Sequence, residues 1–131
     1  MLPPERRVRS SVEFTAIVRR GVRAGRPLLA VHLLRPDNEQ QFSTAGLVVG
    51  KAVGGAVVRH RTSRRLRHLL GERLDGLPSG LRVVVRANAG AGSATSAELA
   101  VDLDLALSAG LAKVARPASA RERRTPEVGR Q

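Results

Sequence analysis

The stretch STAGLVVGKAVGGAVVRHRTSRRLRHLL, residues 43–70, changes its periodicity halfway along. Its first part, 43–53, is a nearly continuous apolar run, the pattern of a strand buried on both faces. From Gly55 onward the apolar residues return every three or four positions, and Gly76 and Pro78 end the pattern, which predicts a helix over 55–74. At 100° per residue, Val58, Thr62, Leu66, Leu69, Leu70 and Leu74 share one arc, while His60, Arg61, Arg64, Arg65, Arg67 and His68 share the opposite one. Arg59 falls among the leucines, near enough to the first turn to reach past the core's edge. A buried strand running straight into a helix that packs on one side and is cationic on the other decides the rest of the fold.

Working outward, SSVEFTAIVRRG (10–21) predicts a short first helix, with a Ser10…Glu13 capping box, apolar Val12, Phe14, Ile17 and Val18, and a terminating Gly21. RPLLAVHLLRP (26–36) reads as a strand between prolines, and PDNEQQ as a polar loop. LRVVVRA (81–87) is a further strand, NAGAGSA (88–94) a flexible loop, and 95–113 a last helix opened by a second capping box, Thr95…Glu98. The order helix, strand, strand, helix, strand, helix describes an α/β (α+β) two-layer sandwich, with helices laid on a small mixed sheet. A chain of 131 residues favours one domain. Residues 10–115 are expected to form it, 1–9 a basic N-terminal arm, and 116–131, which lack apolar periodicity, a disordered basic tail.

Charge is the outlying property. The chain has 23 basic against 11 acidic residues and a net charge of +12, where a magnitude of about 2–8 suffices to keep a small domain soluble. Such a surplus attracts polyanions. There is no cysteine, which excludes disulfides and thiolate metal sites. No apolar run approaches the roughly 20 residues that span a membrane, and the first residues lack a secretory pattern, so a cytoplasmic protein with no membrane partner is expected.

The basic helix carries the functional argument. Solvated helix faces normally alternate sign, yet Arg61–Arg65 and Arg64–His68 are (i, i+4) pairs without an intervening acid before Glu72. The first pair is like-charged and the second becomes so when His68 is protonated; repulsion of that kind costs a few tenths of a kcal/mol per pair, a cost that a polyanion neutralises. Gly54 and Gly55 leave backbone N–H groups open at the helix start, with Lys51 just upstream. This is not a nucleotide P-loop, because the lysine precedes the glycines and no Ser or Thr follows it. His60 and His68 have no carboxylate at ligand spacing, and Glu98 and Asp102, four apart, read as a solvated helix face rather than a metal cluster with Asp104. His32, in an apolar strand, reads as a satisfied core or surface histidine. No nucleophile and base stand in a recognisable relation. Binding, not catalysis by this chain alone, is the expectation. The residues by themselves support a basic RNA-binding module, such as a ribosomal or assembly protein using this kind of helix. A DNA-binding module is more distant, since the helix has no helix-turn-helix partner and few side chains suited to base edges.

Residues 46–70 resemble the signature of the protein subunit of bacterial ribonuclease P. Lys51 follows the strand, Gly54–Gly55 forms the turn, Ala56–Val57 opens the helix, and Arg59–His60–Arg61 with Arg64–Arg65 stand where that family has Arg-Asn-Arg and further basic residues. SSVEFTAIVRRGVR and VVVRANAGAGSATSAEL extend the likeness to about residues 6–113. The resemblance implies a fourth short strand, around 21–26, and a left-handed βαβ crossover. It implies as partners a catalytic RNA and the 5′ leader of precursor tRNA. The RNA would perform hydrolysis with Mg2+ held at its own active site, and the protein would bind no cofactor itself. Lys51, Arg59, His60, Arg61, Arg64, Arg65 and Arg67 would then anchor the RNA, Phe14, Val18 and Val31 would line the leader cleft, and Arg9 and Arg86 would contact phosphates nearby.

Departures from the family pattern alter the expected grip. His60 replaces the middle Asn, Gly55 the turn Asn, and Ser63 one basic position. Relatives often carry aromatics where Val18 and Val31 stand. Stacking contributes about 1–3 kcal/mol per base, so this chain should hold a leader more through charge.

Overall fold

The computed structural model describes residues 6–8, 10–35, 43–78 and 80–114. Along the chain run α1 (Ser11–Arg20), β1 (Val22–Gly25), β2 (Leu29–Leu34), β3 (Thr44–Val48), α2 (Ala56–Leu74), β4 (Arg82–Ala87) and α3 (Ser96–Val114). The sheet order is β1-β2-β4-β3, with β1–β2 and β2–β4 antiparallel and β3–β4 parallel. The helix α2 therefore crosses between two neighbouring parallel strands, a βαβ unit, and β1 is the short strand that the resemblance implied.

Residue parity explains the two layers. Leu29, Val31 and Leu33 of β2 and Val83 and Val85 of β4 join Leu66, Leu69, Leu70 and Leu74 of α2 and Leu99, Leu103, Ala106 and Leu107 of α3 in the main core. Val84 points the other way, where it meets Val8 and Ile17, with Phe14, Val18, Leu34 and Val48 packed around them. Since β2 and β4 are covered on both faces, their apolar runs show no alternation. The only polar group on α2's inner face, Thr62, is satisfied by donating to the Val58 carbonyl at 2.8 Å.

Helix starts follow the capping chemistry. Ser10 Oγ accepts from the Glu13 N–H at 3.0 Å, and Thr95 and Glu98 cap one another at 2.8 and 3.1 Å. Four expectations need correction. The run 43–53 is a strand only to Val48, on the outside of the four-stranded order, and Lys51–Val53 forms a 3-10 turn. Residues 88–94 are not a flexible loop: Ala89–Ser93 is another 3-10 turn with Ala91 and Gly92 buried. The N-terminal boundary lies earlier than residue 10, because Arg7 bridges to Ala45 beside β3 and Val8 is buried. Asp102 is not part of a solvated face. It is buried, accepting from the Leu28 N–H at 2.9 Å and from Arg26 Nε at 3.3 Å. The loop 36–41 and the tail 116–131 lie outside the described residues.

Candidate nucleic-acid interface

The cationic face of α2 is graded along its length. Its first turn holds no acid, and no side chain caps Gly55, so the leading N–H groups of the helix stay without intrahelical partners. Only at the far end do carboxylates appear: His68 lies 3.6 Å from Glu72, and Arg73 reaches Glu72 at 3.5 Å and Asp104 at 2.5 Å. The Arg73 hydrogen bond holds the Asp104 carboxyl below its ordinary range, and Asp104 in turn raises Arg73. The unneutralised charge is thus concentrated toward the helix N-terminus, where the macrodipole already favours anions.

The predicted anchors are not equivalent. His60 and Arg64 are exposed, and Arg64 makes no ion pair or side-chain hydrogen bond among the described residues. Arg61 and Arg65 are half-buried: Arg61 Nη2 donates to the Gly92 carbonyl at 3.1 Å and Arg65 Nη1 to the Ala94 carbonyl at 2.8 Å. They tie α2 to the 89–93 turn while keeping further N–H donors for a ligand. Arg61, Arg64, Arg65, His68, Leu69 and Ser96 surround one open cavity of about 620 Å3 between α2 and the start of α3. Lys51 is exposed in the preceding turn, whose Val53 carbonyl packs so closely on Gly92 that a Cβ there would collide with it. Arg59 is half-buried with its Nε out of solvent and unpartnered, so it neither joins the leucine core nor stands clear of it.

Arg67 lies on the other flank of α2. With Arg7, Val8, Phe14, Ala45, Gly46 and Leu47 it lines a smaller cavity of about 160 Å3 beside β3. The Phe14 ring lies close enough to β3 that a Cβ at Gly46 would stand 2.5 Å from its Cζ, and Val18 packs alongside. Val31 is a correction. It is fully buried in the main core, on the opposite face of the sheet from Phe14 and Val18, and cannot line a cleft there. The residues of β2 with the other parity are Ala30, His32 and Leu34. Arg86 is exposed on the Phe14 side of β4, and Arg9 lies outside the described residues. His32 is not satisfied either: it is buried, its Nδ1 has no partner, and burial followed by Arg23 and Arg86 pushes the imidazole down from its ordinary range.

Arg7 and Arg23 were not among the anticipated residues. Arg7 belongs to a segment that composition marks only as basic, and Arg23 to a four-residue strand too short for a periodicity of its own. Among the described residues no three His, Asp or Glu side chains converge as metal ligands, and no helix is long and apolar enough to cross a membrane.

The ribonuclease P family model matches residues 2–109. The ribonuclease P protein component of Streptomyces bikiniensis is 55% identical over 114 residues, covering 82% of this chain and 93% of that protein. That of Acidothermus cellulolyticus is 46% identical over 104 residues, covering 79% and 87%. In fold, the Staphylococcus aureus ribonuclease P protein superposes with a TM-score of 0.73 at 21% identity, over 85% of this chain and 98% of that one. The Thermotoga maritima protein gives 0.64 at 20% identity, over 74% and 90%. Spanning nearly the whole described domain and most of each relative, these matches show that the chain belongs to the ribonuclease P protein component family.

Proposed function

We propose that this chain is the RNA-binding subunit of a cytoplasmic ribonuclease P holoenzyme, assisting a catalytic RNA in endonucleolytic removal of the 5′ leader from precursor tRNA. The observation that carries the reading is the acid-free N-terminal half of α2, with Arg61, Arg64 and Arg65 gathered around one cavity. Lys51, Arg59, His60 and Arg67 extend that surface toward the helix start and toward β3. In this reading it meets phosphates of the catalytic RNA. The opposite side of the sheet, with Phe14, Val18 and Arg86, receives the single-stranded leader.

The division of labour follows from side-chain chemistry. Guanidinium forks match phosphate oxygens and neutralise repulsion between two RNAs brought together. The hydrolysis itself calls for Mg2+ ions. The reading places those ions on RNA phosphates. Tested at low magnesium, with the cognate catalytic RNA, the protein should raise precursor cleavage strongly and cleave nothing by itself. Tight, salt-sensitive RNA binding without that gain would leave a basic RNA-binding module of another task.

A further inference from the structure

On the α1 side of the sheet a cationic row crosses three adjacent strands. Arg23 of β1 stands directly opposite His32 of β2. Arg86 of β4 pairs with Ala30, one step diagonal to His32, whose own partner is Val84. The Arg23 side chain folds back over Gly25: a Cβ at that position would stand 2.9 Å from Nη1 and 3.3 Å from Cζ. Gly25 pairs with Ala30, and Ala30 with Arg86. The two exposed arginines therefore flank a floor made of the two smallest side chains, and neither makes an ion pair among the described residues.

His32 forms the wall of this floor. It is 5% exposed, with Nδ1 buried and unpartnered. The charged groups around it are accounted for element by element. Arg23 and Arg86 act on it from β1 and β4. From α1, Glu13 is paired with Arg82, and Arg19 and Arg20 are exposed in the last turn. On the far side of the sheet, Asp102 of α3 is held by Arg26 and the Leu28 N–H. Among the described residues no carboxylate is left to stabilise an imidazolium, and two guanidiniums oppose it.

We propose that this row is a proton-linked phosphate seat: a leader phosphate held between Arg23 and Arg86 over Gly25 and Ala30 supplies the negative charge that lets His32 take up a proton from solvent. The inference rests on the leader reading above and adds a regulation to it. Its sign is fixed. The bound imidazole titrates higher than the free one, so the gain in leader affinity is complete below the free value and is lost as pH rises through the bound one. A difference of one unit between the two states corresponds to about tenfold in affinity.

The experiment measures, for the reconstituted holoenzyme, the affinity ratio of a precursor tRNA made non-cleavable at the scissile phosphate to the same tRNA without its leader, from pH 8 to 5.5. The ratio should rise as pH falls. In His32→Gln the ratio should persist but become flat. Arg23→Gln, on an exposed side chain that does not hold the fold, should lower both the ratio and its slope, and covers the case in which the buried substitution disturbs folding. A leader contribution that is intact but independent of pH overturns the proton linkage while leaving the leader reading standing. A slope unchanged in both variants places the titrating group elsewhere and overturns it too. No leader contribution at any pH overturns the leader reading itself.

Discussion

Arg65 and Arg64 are adjacent in sequence and differ in one structural respect, which makes them a controlled pair. Arg65 donates to the Ala94 carbonyl at 2.8 Å in a half-buried setting, whereas Arg64 has no intramolecular partner among the described residues. A hydrogen bond from a charged donor contributes about 1.5–3 kcal/mol net, and partial exposure brings the expected loss in Arg65→Ala to about 1 kcal/mol. For a domain of this size that lowers Tm by about 4 °C. Arg64→Ala should leave stability within about 0.5 kcal/mol of the parent, because it removes an exposed charge from a like-charged cluster. On RNA the two converge. Each loses one phosphate contact, and the slope of log K against log salt should fall by about 0.7–0.9 in either variant. Scanning calorimetry of the free protein and a salt series of catalytic-RNA binding separate the two effects. Equal Tm losses, or a slope untouched by Arg64→Ala, would show that the guanidinium of Arg65 does not hold the 89–93 turn or that this face does not meet RNA.

Three more predictions test the scaffold. Asp102→Ala strips the Leu28 N–H and Arg26 of their acceptor and should cost about 2–3 kcal/mol in urea unfolding, far more than removing an exposed acid. Gly46→Ala pushes a methyl group into the Phe14 ring and should cost about 1–3 kcal/mol, largely relieved in a Gly46→Ala/Phe14→Leu double variant; additive losses would contradict the packing. Asp104, depressed by Arg73, stabilises the fold fully above the ordinary aspartate range, and that contribution fades as pH falls through its lower folded value. Since the pair is exposed, the effect is under about 1 kcal/mol, and Arg73→Gln or high salt should remove this part of the acid-side slope.

The helix α2 was legible because nineteen residues give its period more than five turns to declare itself, and each leucine assigned to the inner arc is buried. The capping boxes at Ser10 and Thr95 were legible for a local reason: partners three residues apart need no tertiary information. What failed depends on partners far along the chain. Val31 was misplaced because LLAVHLL is covered on both faces, so parity is set by its register with Val85 and not by any alternation. Asp102 looked solvated because the groups that bury it, Arg26 and the Leu28 N–H, lie more than seventy residues away. NAGAGSA looked flexible because glycine is ambiguous. Here Gly92 permits close packing against the Val53 carbonyl instead of loosening the chain.

The same long-range contacts account for how α2 tolerates its charge. Arg61 and Arg65 stand four apart with no acid between them, and repulsion of that kind costs a few tenths of a kcal/mol. Their bonds to the Gly92 and Ala94 carbonyls exceed that cost and lie on the side of the helix facing α3, where they splay the two guanidiniums toward the 89–93 turn. A solvated helix would instead distribute acids among the arginines, and Glu72 and Asp104 show that this happens once the helix leaves the cavity. The residual repulsion among Arg61, Arg64 and Arg65 is then a store that a polyanion releases. Binding any such ligand to the folded state alone raises stability by RT ln(1 + [L]/Kd), about 2.7 kcal/mol at a hundredfold excess over Kd. A short RNA duplex, which offers phosphates without an unpaired leader, should therefore raise Tm in low salt and lose the effect as salt increases. Substituting Arg64 by Glu should abolish that rise while leaving the ligand-free Tm unchanged or higher. A ligand-induced rise that survives this substitution would mean that the anion sits elsewhere on the protein.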